Sequence, residues 1–138
     1  DILSCHPNVI PLMIGINDVW PYFSAPSLTE LQESFYHYRA NVETMIQKCN
    51  DVNATVVLMT PYIIEPNKQD PMRIKMSELG TICKELAEKY QLTFIDLQAE
   101  FDQILKYYHP YALAWDRIHP DIIGHTVIAN AFLNAIGM

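Results

Sequence analysis

Apolar residues recur in two rhythms along the chain. Val9 to Ile16 is a short, almost continuous apolar run, as a strand buried on both faces would be. Pro11 interrupts it, and proline cannot donate to a sheet ladder, so a strained or one-sided strand is expected. Leu28, Leu31, Phe35, Tyr38, Val42, Met45 and Cys49 then recur at steps of three and four, the apolar stripe of a helix. Ser27 and Glu30 suit a capping box at its start. Ala54 to Met59 reads as a second buried strand ended by Thr60-Pro61, and Tyr62 to Pro71 as a polar, proline-bearing loop. Met72, Met76, Leu79, Cys83, Leu86 and Tyr90 mark a second long helix. Leu92 to Leu97 is a third strand, and about Ala99 to Tyr108 a shorter helix broken by Pro110. A last helix covers about Ile122 to Ile136, with Ile123, Val127, Ala131 and Ala135 on one side.

Strands alternating with helices imply parallel strands joined by right-handed crossovers, hence an α/β sheet covered on both faces. In such sheets ligands sit beyond the carboxyl ends of the strands. Asn17, Thr60 and Asp96 fall at or near those ends.

Composition narrows the function classes. The 138 residues suit one domain, and half of them are apolar, so the chain is globular. A net charge of −7 disfavours nucleic acid and anionic membrane surfaces, since phosphate binding needs clustered Lys and Arg. Cys5, Cys49 and Cys83 are odd in number and widely spaced, with no CxxC, which argues against a zinc or redox motif. They read as free thiols of a reducing, cytoplasmic compartment.

Two local sequences carry candidate chemistry. Ile14-Gly15-Ile16-Asn17-Asp18-Val19-Trp20 follows the first strand, and Trp115-Asp116-Arg117-Ile118-His119-Pro120 precedes the last helix. Taken singly, each reads as a turn or a solvated loop pair. Taken together, in this order and on these elements, Gly15-x-Asn17-Asp18 and Asp116-x-x-His119 resemble the third and fifth blocks of the SGNH (GDSL-type) hydrolase superfamily. The resemblance extends over nearly the whole chain. Ile14 to Trp20, Met59 to Met72, Tyr111 to Pro120 and Gly124-His125 look like bacterial acetyl-xylooligosaccharide esterases.

The resemblance implies a flavodoxin-like three-layer α/β/α sandwich with a parallel sheet. Residues 1–138 would be the C-terminal part of a single such domain. The family's first block, Gly-Asp-Ser with the nucleophile, and its second, an oxyanion-hole glycine, are not in this chain. Strand, helix, strand and helix, about 50 to 70 residues at thirty-odd per βαβ unit, would carry them upstream. Ser4 stands in the wrong context to replace the nucleophile.

Ester hydrolysis through serine needs a base, a group that holds the base in the right tautomer, and donors for the forming oxyanion. Histidine suits the first task because its unperturbed pKa, about 6.5, lies near working pH. By resemblance, His119 is the base, Asp116 its orienting carboxylate and Asn17 an oxyanion donor. Trp20 and Trp115 either stack on a sugar and wall an acyl pocket, or pack in a core or subunit contact. Asp18 reads as a loop-shaping residue, Asp96 as a helix cap, Arg117 as a solvated rim residue and His125 as structural. Tyr62, Glu65 and Asn67 are candidates to line the cleft. No metal and no cofactor are expected.

The expected substrate is a small acylated molecule, an acetylated xylo-oligosaccharide, with no nucleic acid or membrane partner and with homo-oligomerisation. The alternatives are a lysophospholipase or thioesterase of the same superfamily, and a catalytically incomplete fragment acting through binding. An uncovered first strand would leave this piece alone unstable, aggregated or dimeric.

Overall fold

The computed structural model describes residues 2–24 and 29–138. The expected cap at Ser27 and the first stripe residue, Leu28, lie outside them, as do the side chains of Glu30 and Leu31. In chain order the elements are β1 (Val9–Met13), α1 (Ile16–Ser24), α2 (Thr29–Asp51), β2 (Thr55–Met59), α3 (Pro71–Tyr90), β3 (Thr93–Ile95), α4 (Leu97–Ile104) and α5 (Ile122–Ala135), with short 3-10 turns at Ile2–Cys5 and Pro110–Ala112.

The three strands are parallel in the order β1-β2-β3. Pro11 pairs with Val57 in the register of β1 on β2, and Leu58 pairs with Phe94 in that of β2 on β3. Alternation along β2 sorts the core into two faces. Leu58 faces Val19 of α1, Tyr38, Val42 and Ile46 of α2, and Met76, Leu79, Cys83 and Leu86 of α3. Val57 and Met59 face Leu97 and Phe101 of α4, and Val127 and Ala131 of α5. The result is the expected α/β/α sandwich.

β1 lies at an edge of the sheet, where a proline is tolerated. Ile10 is buried, whereas Val9 and Met13 on the opposite face are exposed. The strand is therefore one-sided, as Pro11 suggested.

Two elements depart from the sequence reading. The residues after β1 form a helix, α1, rather than a turn. Gly15, Asn17 and Asp18 are turn-forming types, and Pro21 within α1 is a helix breaker, so local signals favoured the turn. Burial of Val19, which is fully enclosed, overrides them. In α2 the buried stripe turns by one residue, so Ile46 is enclosed and Met45 is exposed. Cys49 and Cys83 are buried thiols, and no disulfide occurs among the described residues.

Candidate active site

The first motif sits at the carboxyl end of β1. Gly15 has φ +137°, a backbone conformation open to glycine. A Cβ there would lie 2.8 Å from Pro61, so only glycine lets this turn settle against the end of β2. Tyr38 of α2 reaches across the core and donates its hydroxyl to the Ile14 carbonyl at 2.9 Å. Its oxygen also lies 3.1 Å from Cys83 Sγ. Burial, reinforced by Cys83, pushes the Tyr38 hydroxyl far above its ordinary pKa, so it stays a neutral donor. Asn17 and Trp20 then leave the same side of α1, three residues apart, and both are exposed.

The second motif is a closed loop. Ala114 and Pro120 form an antiparallel bridge at its neck. Inside it, Asp116 Oδ1 accepts from the backbone N–H of Ile118 at 3.0 Å and of His119 at 2.8 Å. Its other oxygen, Oδ2, lies 2.6 Å from His119 Nδ1. One carboxylate thus fixes both the backbone and the ring of the histidine, and leaves Nε2 for other work. Desolvation raises the Asp116 pKa, but the hydrogen bonds from His119 backbone, His119 ring and Ile118 outweigh it and hold the carboxyl at about 2. The two partners differ in exposure: the Asp116 side chain is 18% exposed and that of His119 63%.

The loop is held from both ends. Asp121 caps α5, its Oδ1 accepting from Ile123 and Gly124 N–H. A Cβ on Gly124 would come within 2.6 Å of Pro120 and 2.9 Å of the Leu113 carbonyl, so glycine is what lets α5 start so close to the neck. From the other side, the Ile64 N–H donates to the Arg117 carbonyl at 2.9 Å. Arg117 has φ +70°. A non-glycine residue there costs on the order of 1–3 kcal/mol and persists only where its surroundings dictate it.

Those surroundings are two carboxylates. The Arg117 guanidinium donates to Glu65 Oε2 and, at 3.2 Å, to Asp70 Oδ2. It is thus an anchor rather than the solvated rim residue expected. Asp70 also caps α3 through Met72 and Arg73 N–H. Buried Arg73 in turn makes a two-pronged pair with Asp102 at 2.9 and 2.8 Å and donates to the Glu65 carbonyl. Gln98 exchanges hydrogen bonds with the Ile63 backbone in both directions. The segment from Ile63 to Asp70 is therefore a fixed platform beneath the second motif.

The two motifs meet. The Trp20 indole stands edge-on to the His119 imidazole, with ring centroids 6.3 Å apart and planes at 88°. Gly15, Ile16, Pro61, Tyr62 and Ile118 line one small cleft of about 70 Å³. Trp115 is 75% exposed and Trp20 40%, so neither is core packing within this chain. Tyr62 is mostly buried against Phe101, touching the cleft with its remainder. Asn67 is exposed in its turn and is not one of the residues lining that cleft. Asp96 caps α4, as capping predicted. Ser24 and Ser77 hydroxyls donate to carbonyls of their own helices, Trp20 and Arg73.

The roles of Tyr38, Glu65 and Asp70 were missed from sequence, because each acts across a long separation that no local pattern encodes. The arrangement can abstract and return a proton at His119 Nε2, with Asp116 stabilising the imidazolium.

The sequence profile of the GDSL-like lipase/acylhydrolase family matches residues 1–127. The chain belongs to that family. Acetylxylan esterase of Geobacillus stearothermophilus is 40% identical to this acylhydrolase-family chain over 137 residues, covering 99% of the chain and 63% of that protein. A crystal structure of that esterase superposes with a TM-score of 0.95, covering 100% of this chain and 63% of its own. An alpha/beta hydrolase enzyme from the metagenome of Lake Arreo, Spain, is 41% identical with a TM-score of 0.94, covering 99% and 63% respectively. This acylhydrolase-family chain therefore spans 63% of the length of these relatives. Structures of the Geobacillus enzyme include catalytic mutants in which a serine, an aspartate or a histidine is replaced by alanine. In that enzyme the aspartate precedes the histidine by three positions, and a tryptophan replaced by isoleucine in another variant directly precedes the aspartate.

Proposed function

We propose that this chain supplies the base and part of the oxyanion hole of a serine-dependent carboxylic ester hydrolase that removes acetyl groups from xylo-oligosaccharides. His119 is the base, Asp116 orients it and stabilises its charged form, and Asn17 donates to the oxyanion. Residues 1–138 are on this reading the C-terminal part of one hydrolase domain, and the nucleophilic serine belongs to sequence outside them. The observation that carries the proposal is the 2.6 Å contact between Asp116 Oδ2 and His119 Nδ1, on a loop that abuts the helix bearing Asn17. The Geobacillus enzyme supports it, since its catalytic aspartate and histidine and the adjacent tryptophan share the spacing of Trp115, Asp116 and His119.

In mechanism, His119 Nε2 takes the serine proton as the hydroxyl attacks the acetyl carbon. The tetrahedral oxyanion meets the Asn17 amide, and the imidazolium then protonates the departing sugar oxygen. Water repeats the cycle on the acetyl-enzyme. Trp20 and Trp115 provide flat apolar surface beside the base, suited to a sugar ring or an acetyl methyl.

The test compares the intact enzyme carrying this chain with its His119→Ala and Asp116→Asn variants on p-nitrophenyl acetate, a long-chain p-nitrophenyl ester and acetylated xylo-oligosaccharide. Loss of kcat by about 10⁴-fold in both variants is expected. Preference for the long-chain ester would replace the sugar reading with a lipase-like one, and full activity of His119→Ala would end the assignment.

A further inference from the structure

We propose that Arg117 is a positioning residue for the Asp116–His119 pair, acting through its double anchor on Glu65 and Asp70. The inference rests on the hydrolase reading above and assigns a part to a side chain that reading leaves idle. Arg117 lies between the two paired residues, and its left-handed backbone, φ +70°, reverses the chain there. That reversal brings the N–H groups of Ile118 and His119 back onto Asp116 Oδ1. The same carboxylate then meets His119 Nδ1 through Oδ2. The aim of the imidazole therefore depends on the conformation of one peptide unit that an unconstrained arginine would seldom adopt.

Three bonds hold that unit to the platform. Its carbonyl accepts from Ile64 N–H at 2.9 Å. Its guanidinium takes Glu65 and Asp70, and these carboxylates are themselves fixed. Glu65 Oε1 accepts from Asn67 N–H at 2.9 Å, and Asp70 Oδ1 caps α3. Both anchors lie far from the loop in sequence, on the segment joining β2 to α3. The guanidinium thus ties the loop that carries the base to a segment that Arg73, Gln98 and the α3 cap already hold. Arginine suits this task because its donors diverge in a rigid fork, allowing two carboxylates to be held at once, whereas lysine offers a single flexible point charge.

A double-mutant cycle in the intact enzyme tests the proposal, with p-nitrophenyl acetate as substrate. Arg117→Ala is expected to lower kcat about tenfold, with KM within about twofold and the melting transition still cooperative. Arg117→Lys should recover part of that loss, and Glu65→Gln, which leaves Asp70 in place, should lose less than Arg117→Ala. In an Asp116→Asn background, Arg117→Ala should cost nothing further, because the pair it serves is already broken. The downfield proton resonance of the His119 Nδ1–H to Asp116 bond should weaken in Arg117→Ala. Losses that multiply in the double mutant, or a wild-type kcat in Arg117→Ala, would overturn the positioning role and leave the hydrolase reading intact. A wild-type kcat in Asp116→Asn would instead overturn both. Should Arg117→Ala fail to fold, Arg117→Lys and Glu65→Gln carry the test, and unchanged kcat in both would overturn it.

Discussion

Asn17 occupies the first turn of α1, exposed, one helical turn before the indole that meets His119. A side-chain amide aimed at a developing oxyanion contributes in the transition state and little in the bound ester. Asn17→Ala in the intact enzyme is therefore expected to lower kcat by about 10²–10³-fold with KM nearly unchanged, measured by steady-state kinetics on p-nitrophenyl acetate. An equal rise in KM with unchanged kcat would assign Asn17 to ground-state binding. The neighbouring Asp18 lies in the first turn of the same helix, where a carboxylate complements the helix dipole, which accounts for it without catalysis.

At the scale of elements, the two glycines explain why the motifs stand where they do. Gly15 lets β1 turn into α1 against Pro61, and Gly124 lets α5 begin against Pro120. The cap at Asp121 completes the second junction. Asp121→Ala removes an acceptor for two N–H groups and is expected to destabilise the protein by about 1 kcal/mol, read as a lower melting temperature. The loss of kcat should be disproportionate, since the helix start also fixes the loop neck. The parallel strands, both long helices and the two motifs were legible in sequence because each rests on a local rhythm or a contiguous signature. α1 was not, because Gly15, Asn17, Asp18 and Pro21 carry turn chemistry, and it is burial of Val19 that favours a helix from Ile16 onward. Nor was the anchoring of Arg117, because Glu65 and Asp70 approach it from some fifty residues away, and sequence spacing holds no record of such a meeting.

For the whole molecule, the charges that organise the second motif also set its tolerance of acid. Asp116 is held at about 2 by its hydrogen bonds, against desolvation. Asp70 is likewise below the carboxylate range: burial opposes this, but the Arg73 N–H and Arg117 prevail. Both are depressed in the folded state relative to an unfolded value of about 3.9. Their stabilisation is full above pH of about 4 and is lost as pH falls through each folded value, which for Asp116 lies at about 2. Melting temperature should fall steeply across that window, and Asp116→Asn should flatten part of the slope. The exposed flank of β1 acts at the same scale. Val9 and Met13 stand open on an edge strand, an invitation to pairing with another chain. Residues 1–138 produced alone are expected to self-associate, and a monomer in sedimentation velocity would contradict this.

The chain holds two tryptophans, Trp20 and Trp115. One touches the imidazole edge-on, and the other directly precedes the aspartate. Intrinsic emission is thus a built-in optical gauge of the chemistry. In Trp115→Phe the remaining emitter should therefore change in intensity when His119 is replaced by alanine, which removes its edge-on neighbour, and unchanged emission would separate the indole from the base. Any further indoles in the intact enzyme would add a constant background to this comparison without abolishing it.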